Sequence, residues 1–150
     1  MSLMLGHNYH MPEIEAAIGS VQLKKLPKFV AKRRANAKRL SAILVKSKKL
    51  QLPVEPEGFK PSYYLYTVRL KNADKEKRDK LVEKLKQEGI GAFICYVNPI
   101  HTMPYYRKFA AHKLPVTETV SKQVFSLPVH PGVTPKQIDF ICETVLRMLS

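Results

Sequence analysis

The sequence predicts an α+β domain, in which a small three-stranded, largely antiparallel sheet has helices packed on one face and a long helical segment precedes it. A chain of 150 residues has room for one core, and its 45% hydrophobic residues are enough to fill it. Three short apolar segments rich in β-branched and aromatic residues lie between segments with helical periodicity. The first part of the chain has helical periodicity and no strand of its own.

The N-terminal segment predicts two helices. Pro12 suits the first turn of a helix, where its missing N–H costs nothing. Apolar residues then recur at three- and four-residue intervals, which predicts a buried face: Ile14, Ala17, Ile18 and Val21. Pro27 is expected to break or kink this helix. A second helix is predicted over residues 28–46.

The remaining elements follow from local signals. Strands are predicted at 63–70, 91–97 and 124–129, after a proline-rich connector at 51–62. A helix is predicted from Asp74 to a left-handed cap at Gly89. Residues 98–115 predict a long loop with a short helix near 105–109. Thr134 and Gln137 form a predicted capping box that starts the last helix.

Composition excludes several classes of protein. No apolar run approaches the roughly 20 residues of a membrane helix, and the N-terminus lacks the pattern of a secretory signal. Cys95 and Cys142 cannot form a disulfide scaffold, and their apolar neighbours predict that both are buried. No spacing of ligands predicts a metal site, and the pair His7 and His10 is too small for one. We therefore expect a cytoplasmic protein with no membrane segment.

The charge is strongly positive: 26 Lys and Arg against 12 Asp and Glu give +14 and a pI near 9.9. Residues 24–49 contain eleven basic residues and no acidic one. Such a tract is either a solvated helix face or a surface that follows phosphates. A nucleic-acid module would also need interleaved aromatic residues, and the tract has only Phe29. The solvated face is therefore favoured and a nucleic-acid partner is not expected.

Several segments resemble DegT/DnrJ/StrS-type sugar aminotransferases, in the order found in that family. Residues 6–26 read GHNYHMPEIEAAIGSVQLKKL, which is similar to the family pattern G-x-N-Y-R-M-x-E-I-x-A-A-x-G-x-x-Q-L. The similarity continues at 32–37, 89–106, 114–118 and 126–141. The resemblance covers nearly the whole chain and implies the C-terminal small domain of such an enzyme.

The resemblance implies a homodimeric enzyme dependent on pyridoxal 5'-phosphate, which moves an amino group, typically from glutamate, onto a nucleotide-linked keto sugar. Family members are more than twice as long, and their Schiff-base lysine lies before the matched region. The resemblance therefore implies that the catalytic residues are not in this chain, that its partner is a large N-terminal domain, and that it is inactive alone. Residues 1–5 are expected to be an added leader and 6–150 the domain.

The resemblance also implies roles for four residues. Asn8 matches an asparagine that reaches the cofactor phosphate of the other subunit, and an alternative is that it only shapes the turn before the helix. His10 stands where the family has arginine, so its anion-binding role is weakened or altered, because histidine is mostly neutral at pH 7. His101 and Tyr96 match a segment that borders the substrate, although a loop histidine bonded to backbone and a packing tyrosine are the alternatives.

Two other functions remain open from the residues alone. The chain could be a free-standing domain that binds anions or nucleic acid. It could also be a purely structural dimerisation domain whose contact is made by the helical segment 12–46.

Overall fold

The computed structural model describes residues 9–109 and 112–150, so Asn8, His7 and the leader predicted at 1–5 lie outside the described residues. In chain order the elements are α1 (Glu13–Leu44), β1 (Leu50–Gln51), β2 (Tyr66–Leu70), α2 (Lys75–Gln87), α3 (Pro104–Arg107), α4 (Pro115–Ser121), β3 (Val124–Leu127) and α5 (Pro135–Leu149). A single 3-10 turn at Ile100–Thr102 precedes α3.

The sheet is antiparallel with strand order β1-β2-β3. Leu50 pairs with Leu70 on one side of β2, and Tyr66 and Val68 pair with Leu127 and Phe125 on the other. These paired residues are buried and share one face of the sheet, as the two-residue period of a strand requires. The predicted α+β class is confirmed.

Three helices complete the core against this face. The C-terminal half of α1 buries Ala37, Leu40 and Leu44, and packs on α5. On α5 the predicted stripe is buried at Ile138, Ile141, Cys142 and Val145. On α2 the buried residues include Leu81, Val82 and Leu85. One continuous core results, which is what a domain of this length can support.

Local signals place the helix ends as predicted. The Asp74 side chain accepts a hydrogen bond of 2.8 Å from the backbone N–H of Lys77 and caps α2. Gly89 has a φ of +77°, a conformation that glycine adopts without a side-chain penalty. The capping box of α5 is present in both directions between Thr134 and Gln137.

Three predictions are corrected. Pro27 does not end the first helix, because α1 runs unbroken through it. Proline cannot donate to the carbonyl of Leu23 four residues earlier, and Leu23 is exposed. The third strand is Leu50–Gln51 and not 91–97, where a single bridge joins Phe93 to Ser126. Cys95 is exposed, because this segment lies outside the sheet.

The predicted buried face of the first helix is also wrong within this chain. Ile14 is 75% exposed, Ile18 58% and Val21 51%. The burial of α1 starts only near its middle, and the described residues provide no cover for the apolar residues of its N-terminal half.

Candidate functional site

A groove of about 530 Å³ lies where the segment after α2, the 3-10 turn, α3 and α4 meet. We call it the His101 groove. Its lining is mostly apolar and aromatic: Tyr96, Asn98, Pro99, Ile100, His101, Tyr106, Phe109, Leu114, Thr117 and Ser121. Concave apolar sites with a few polar groups are typical of small-molecule binding.

His101 is held in place at the wall of the groove. Its side chain is only 16% exposed, and its Nε2 lies 3.1 Å from Oε1 of Glu118. Glu118 lies in the first turn of α4, where its backbone N–H donates to the carbonyl of Leu114. The hydrogen bond with His101 is the largest cause that lowers the pKa of Glu118. The carboxylate form therefore fixes the ring of His101 near neutral pH.

The turn that carries His101 is braced by its neighbours. The Thr102 hydroxyl donates to the carbonyl of Pro99 at 2.7 Å, and Arg107 donates to the carbonyl of Thr102 at 3.1 Å. These bonds satisfy backbone oxygens of the turn and restrict its motion. His101 is therefore presented by a fixed turn.

Aromatic residues line the groove, and Tyr105 precedes the groove residue Tyr106 in sequence and contacts it. Tyr96 is 63% exposed and lines the same groove as His101. Tyr105 packs edge-on against Tyr106, with ring centroids 5.2 Å apart. Lys108 Nζ lies 4.6 Å from the ring centroid of Tyr105, within the range of a cation–π contact. The groove thus combines ring faces with one positioned imidazole.

Buried Arg78 supports the far end of α4, and no sequence pattern predicts this role. Its guanidinium donates to the carbonyls of Ser121 at 3.0 Å and Val124 at 2.7 Å, and to Asp79 at 2.6 Å. Burial of Asp79 opposes its ionisation, but hydrogen bonds from Lys75 and Arg78 outweigh this and lower its pKa. Because Ser121 lines the groove, Arg78 helps to set its shape.

The structure brings together two of the four predicted site residues. His101 and Tyr96 share the groove, whereas His10 is exposed just before α1 and does not line it. The position of Asn8 lies outside the described residues. Within the described ranges, no group of three or more His, Cys, Asp or Glu residues could hold a metal ion. No helix in this part of the chain is long and apolar enough to cross a membrane.

Comparison with known proteins assigns the chain. The pattern of the DegT/DnrJ/EryC1/StrS aminotransferase family matches residues 1–146. This chain belongs to that family. Among DegT/DnrJ/EryC1/StrS relatives, it is 34% identical over 97% of its length to a dTDP-3-amino-3,4,6-trideoxy-alpha-D-glucose transaminase of Micromonospora megalomicea. It is 33% identical over 87% of its length to a dTDP-4-dehydro-2,3,6-trideoxy-D-glucose 4-aminotransferase of Saccharopolyspora spinosa.

Comparison with solved structures agrees with this assignment. The aminotransferase TlmJ of Streptoalloteichus hindustanus superposes over all of this chain with a TM-score of 0.87 and 29% identity. DesV of S. venezuelae, solved in complex with a ketimine intermediate, covers 99% of it with a TM-score of 0.88 and 28% identity. The chain spans 39% and 33% of the two curated relatives, and 40% and 39% of these two structures.

Proposed function

We propose that the chain is the C-terminal domain of an aminotransferase that uses pyridoxal 5'-phosphate and acts on nucleotide-linked keto sugars. The observation that carries this proposal is the similarity of the whole chain to sugar aminotransferases in both sequence and fold. Two relatives are named for transamination of dTDP-linked sugars, and this supports the substrate class. The free-standing nucleic-acid domain has no comparable support.

The lining of the His101 groove does not fit the cofactor by itself. When bound, pyridoxal phosphate supplies the electron sink for amino transfer. It needs a lysine for its aldehyde and a carboxylate for its ring nitrogen, and the lining of the His101 groove contains neither lysine nor carboxylate. The described buried polar residues also include no lysine. We therefore propose that a large domain supplies the lysine and the carboxylate, and we expect this chain to be inactive alone.

The proposed contribution of this chain is binding and orientation. His101, fixed by Glu118, can offer one ring nitrogen to a sugar or phosphate oxygen. Tyr96 offers an exposed ring face and a hydroxyl beside it. Asn8 and His10 remain proposed contacts to the cofactor phosphate across a homodimer. The cytoplasm remains the proposed location.

The experiment that tests this function is a chimera in which the chain replaces the matching part of the Micromonospora transaminase. We expect the chimera, but not the isolated chain, to transfer an amino group to a dTDP-linked keto sugar. His101→Ala should raise KM for the sugar by about tenfold, the effect of one lost hydrogen bond that leaves a polar partner unsatisfied. His112→Ala is the matched control, because His112 is exposed and does not line the groove.

Two results would contradict the proposal. One is turnover by the isolated chain, which would place the catalytic residues here. The other is an active chimera whose KM and kcat do not change with His101→Ala, which would remove the groove from the substrate site.

A further inference from the structure

A second cavity, of about 500 Å³, lies where the start of β1, the end of β2, the first turn of α2 and the end of α5 meet. We call it the lysine cavity. No described residue that lines it is acidic, and four are lysines: Lys48, Lys49, Lys71 and Lys77. Leu70 and Leu149 give the lining an apolar part. The lysine cavity shares no lining residue with the His101 groove.

The sheet places two of these lysines directly opposite each other. Leu50 pairs with Leu70, and the same antiparallel register brings Lys49 opposite Lys71. The backbone N–H of Lys71 donates to the carbonyl of Lys49 at 2.8 Å, which fixes the two backbones side by side. Like charges in such an arrangement destabilise the pair. The Lys49 ammonium donates to the carbonyl of Leu149 at the end of α5, whereas Lys71 has no acidic partner among residues 9–109 and 112–150.

Lys77 adds positive charge where a helix disfavours it. It lies in the first turn of α2, and the free N–H groups of that turn make a cation unfavourable there. In the same turn the Lys75 ammonium is paired with Asp79 at 2.6 Å. Within the described part of the chain, Lys77 and Lys48 have no such partner. The carboxylate of Asp74 accepts from the backbone N–H of Lys77 and does not line the cavity.

We propose that the lysine cavity binds a small phosphorylated molecule that carries a diphosphate group. The oxygens of a diphosphate can accept hydrogen bonds from several ammonium groups at once. One bound anion would offset both the repulsion between Lys49 and Lys71 and the unfavourable charge of Lys77. The apolar side chains of Leu70 and Leu149 can contact the uncharged part of such a molecule.

The shape of the site favours a small anion over a nucleic acid. The lysines surround a concavity, which suits a compact ligand, and the described lining offers no aromatic ring on which a base could stack. All four lysines belong to this chain, so the inference does not rest on the proposed function.

The test is calorimetric titration of the isolated chain with inorganic pyrophosphate at low salt. We expect saturable binding with a Kd below about 1 mM. Lys71→Gln and Lys77→Gln should each raise the Kd by about fivefold, the effect of one lost charge pair at an exposed site. Lys84→Gln is the matched control, because it removes the same charge from an exposed position of α2 that does not line the cavity, and its Kd should stay within about twofold of wild type.

Thermal unfolding gives a second readout. Pyrophosphate at ten times its Kd should raise the Tm of the wild-type chain by about 3–6 °C, because it binds only the folded state. The double variant Lys71→Gln/Lys77→Gln should show less than about half of this increase at the same concentration. Without pyrophosphate, Lys71→Gln should not lower the Tm, because it removes the repulsion with Lys49.

Four results would overturn the inference. The first is no saturable binding up to about 10 mM pyrophosphate. The second is an equal loss of affinity in Lys84→Gln and Lys77→Gln, which would show general attraction to the net charge of +14. The third is a raised Kd in His101→Ala, which would place pyrophosphate in the His101 groove. The fourth is duplex DNA that binds more tightly than pyrophosphate and loses affinity in the same two cavity variants, which would assign the surface to nucleic acid.

The two proposals fail in different ways. A chimera that transfers no amino group contradicts the proposed function and leaves pyrophosphate binding by this chain unaffected. An active chimera that includes a chain with no pyrophosphate site contradicts the lysine cavity alone.

Discussion

Replacing Arg78 tests how the fold supports the groove. Arg78 is 1% exposed, and its guanidinium donates to two backbone carbonyls, at 3.0 Å from Ser121 and 2.7 Å from Val124. Hydrogen bonds from charged donors contribute about 1.5–3 kcal/mol each, and the two share one donor group, so their effects do not simply add. Arg78→Met keeps much of the side-chain volume and removes a desolvated charge, which offsets part of the loss.

We expect Arg78→Met to lower the free energy of unfolding by about 2–3 kcal/mol, which for a domain of this size lowers Tm by about 5–10 °C. Arg78→Lys should lower the free energy of unfolding by less than Arg78→Met, because the lysine ammonium keeps a charged donor but not the forked geometry of arginine. Arg78→Ala should lower the free energy of unfolding by more than Arg78→Met, because it also leaves a cavity. Urea unfolding followed by circular dichroism gives the three values.

Exposed Arg107 provides the matched control, because it donates to one carbonyl at the surface, and Arg107→Met should change stability by less than about 0.5 kcal/mol. If Arg78→Met unfolds at the same urea concentration as wild type, the two carbonyls do not depend on Arg78 and the reasoning is refuted. The same holds if the three Arg78 variants do not follow the expected order.

Three further predictions concern buried or paired groups. Asn36→Leu should lower the free energy of unfolding in urea by about 2 kcal/mol, because the Asn36 amide donates to three backbone carbonyls of the turn at 129–133. An unchanged free energy of unfolding would contradict this role. The pKa of Glu118, followed by NMR, should lie below the ordinary value of a glutamate and return toward it in His101→Ala. The stabilisation from this pair is therefore present above the ordinary pKa of a glutamate and is lost as the pH falls through the lowered pKa of Glu118 in the folded chain. Exposed Cys95 should react quickly with a thiol reagent at pH 8. Burial raises the pKa of Cys142 to about 12, so Cys142 should react only after the chain unfolds. Fast reaction of both cysteines in the folded chain would contradict the burial of Cys142.

The candidate site was only partly predictable. His101 and Tyr96 were singled out by resemblance, and the structure places both in one groove. Glu118, the partner of His101, was not singled out, because it is 17 residues from His101 and only the fold of the intervening loop brings the two together. Arg78 and Asn36 were missed for a related reason. A buried polar residue on a helix looks like a solvated one until the distant carbonyls that it satisfies are known.

The sequence by itself determined the helix ends at Asp74, Gly89 and Thr134, since each depends on hydrogen bonds or backbone conformation within one turn. It also determined the class of fold, through apolar periodicity. Tertiary structure alone decided that Leu50–Gln51, rather than 91–97, completes the sheet, because strand pairing depends on partners far along the chain. Tertiary structure also decided that α1 continues through Pro27 and that Ile14 and Ile18 are exposed in this chain. Periodicity shows that one face of a helix is apolar, but it does not show which residues will pack against that face.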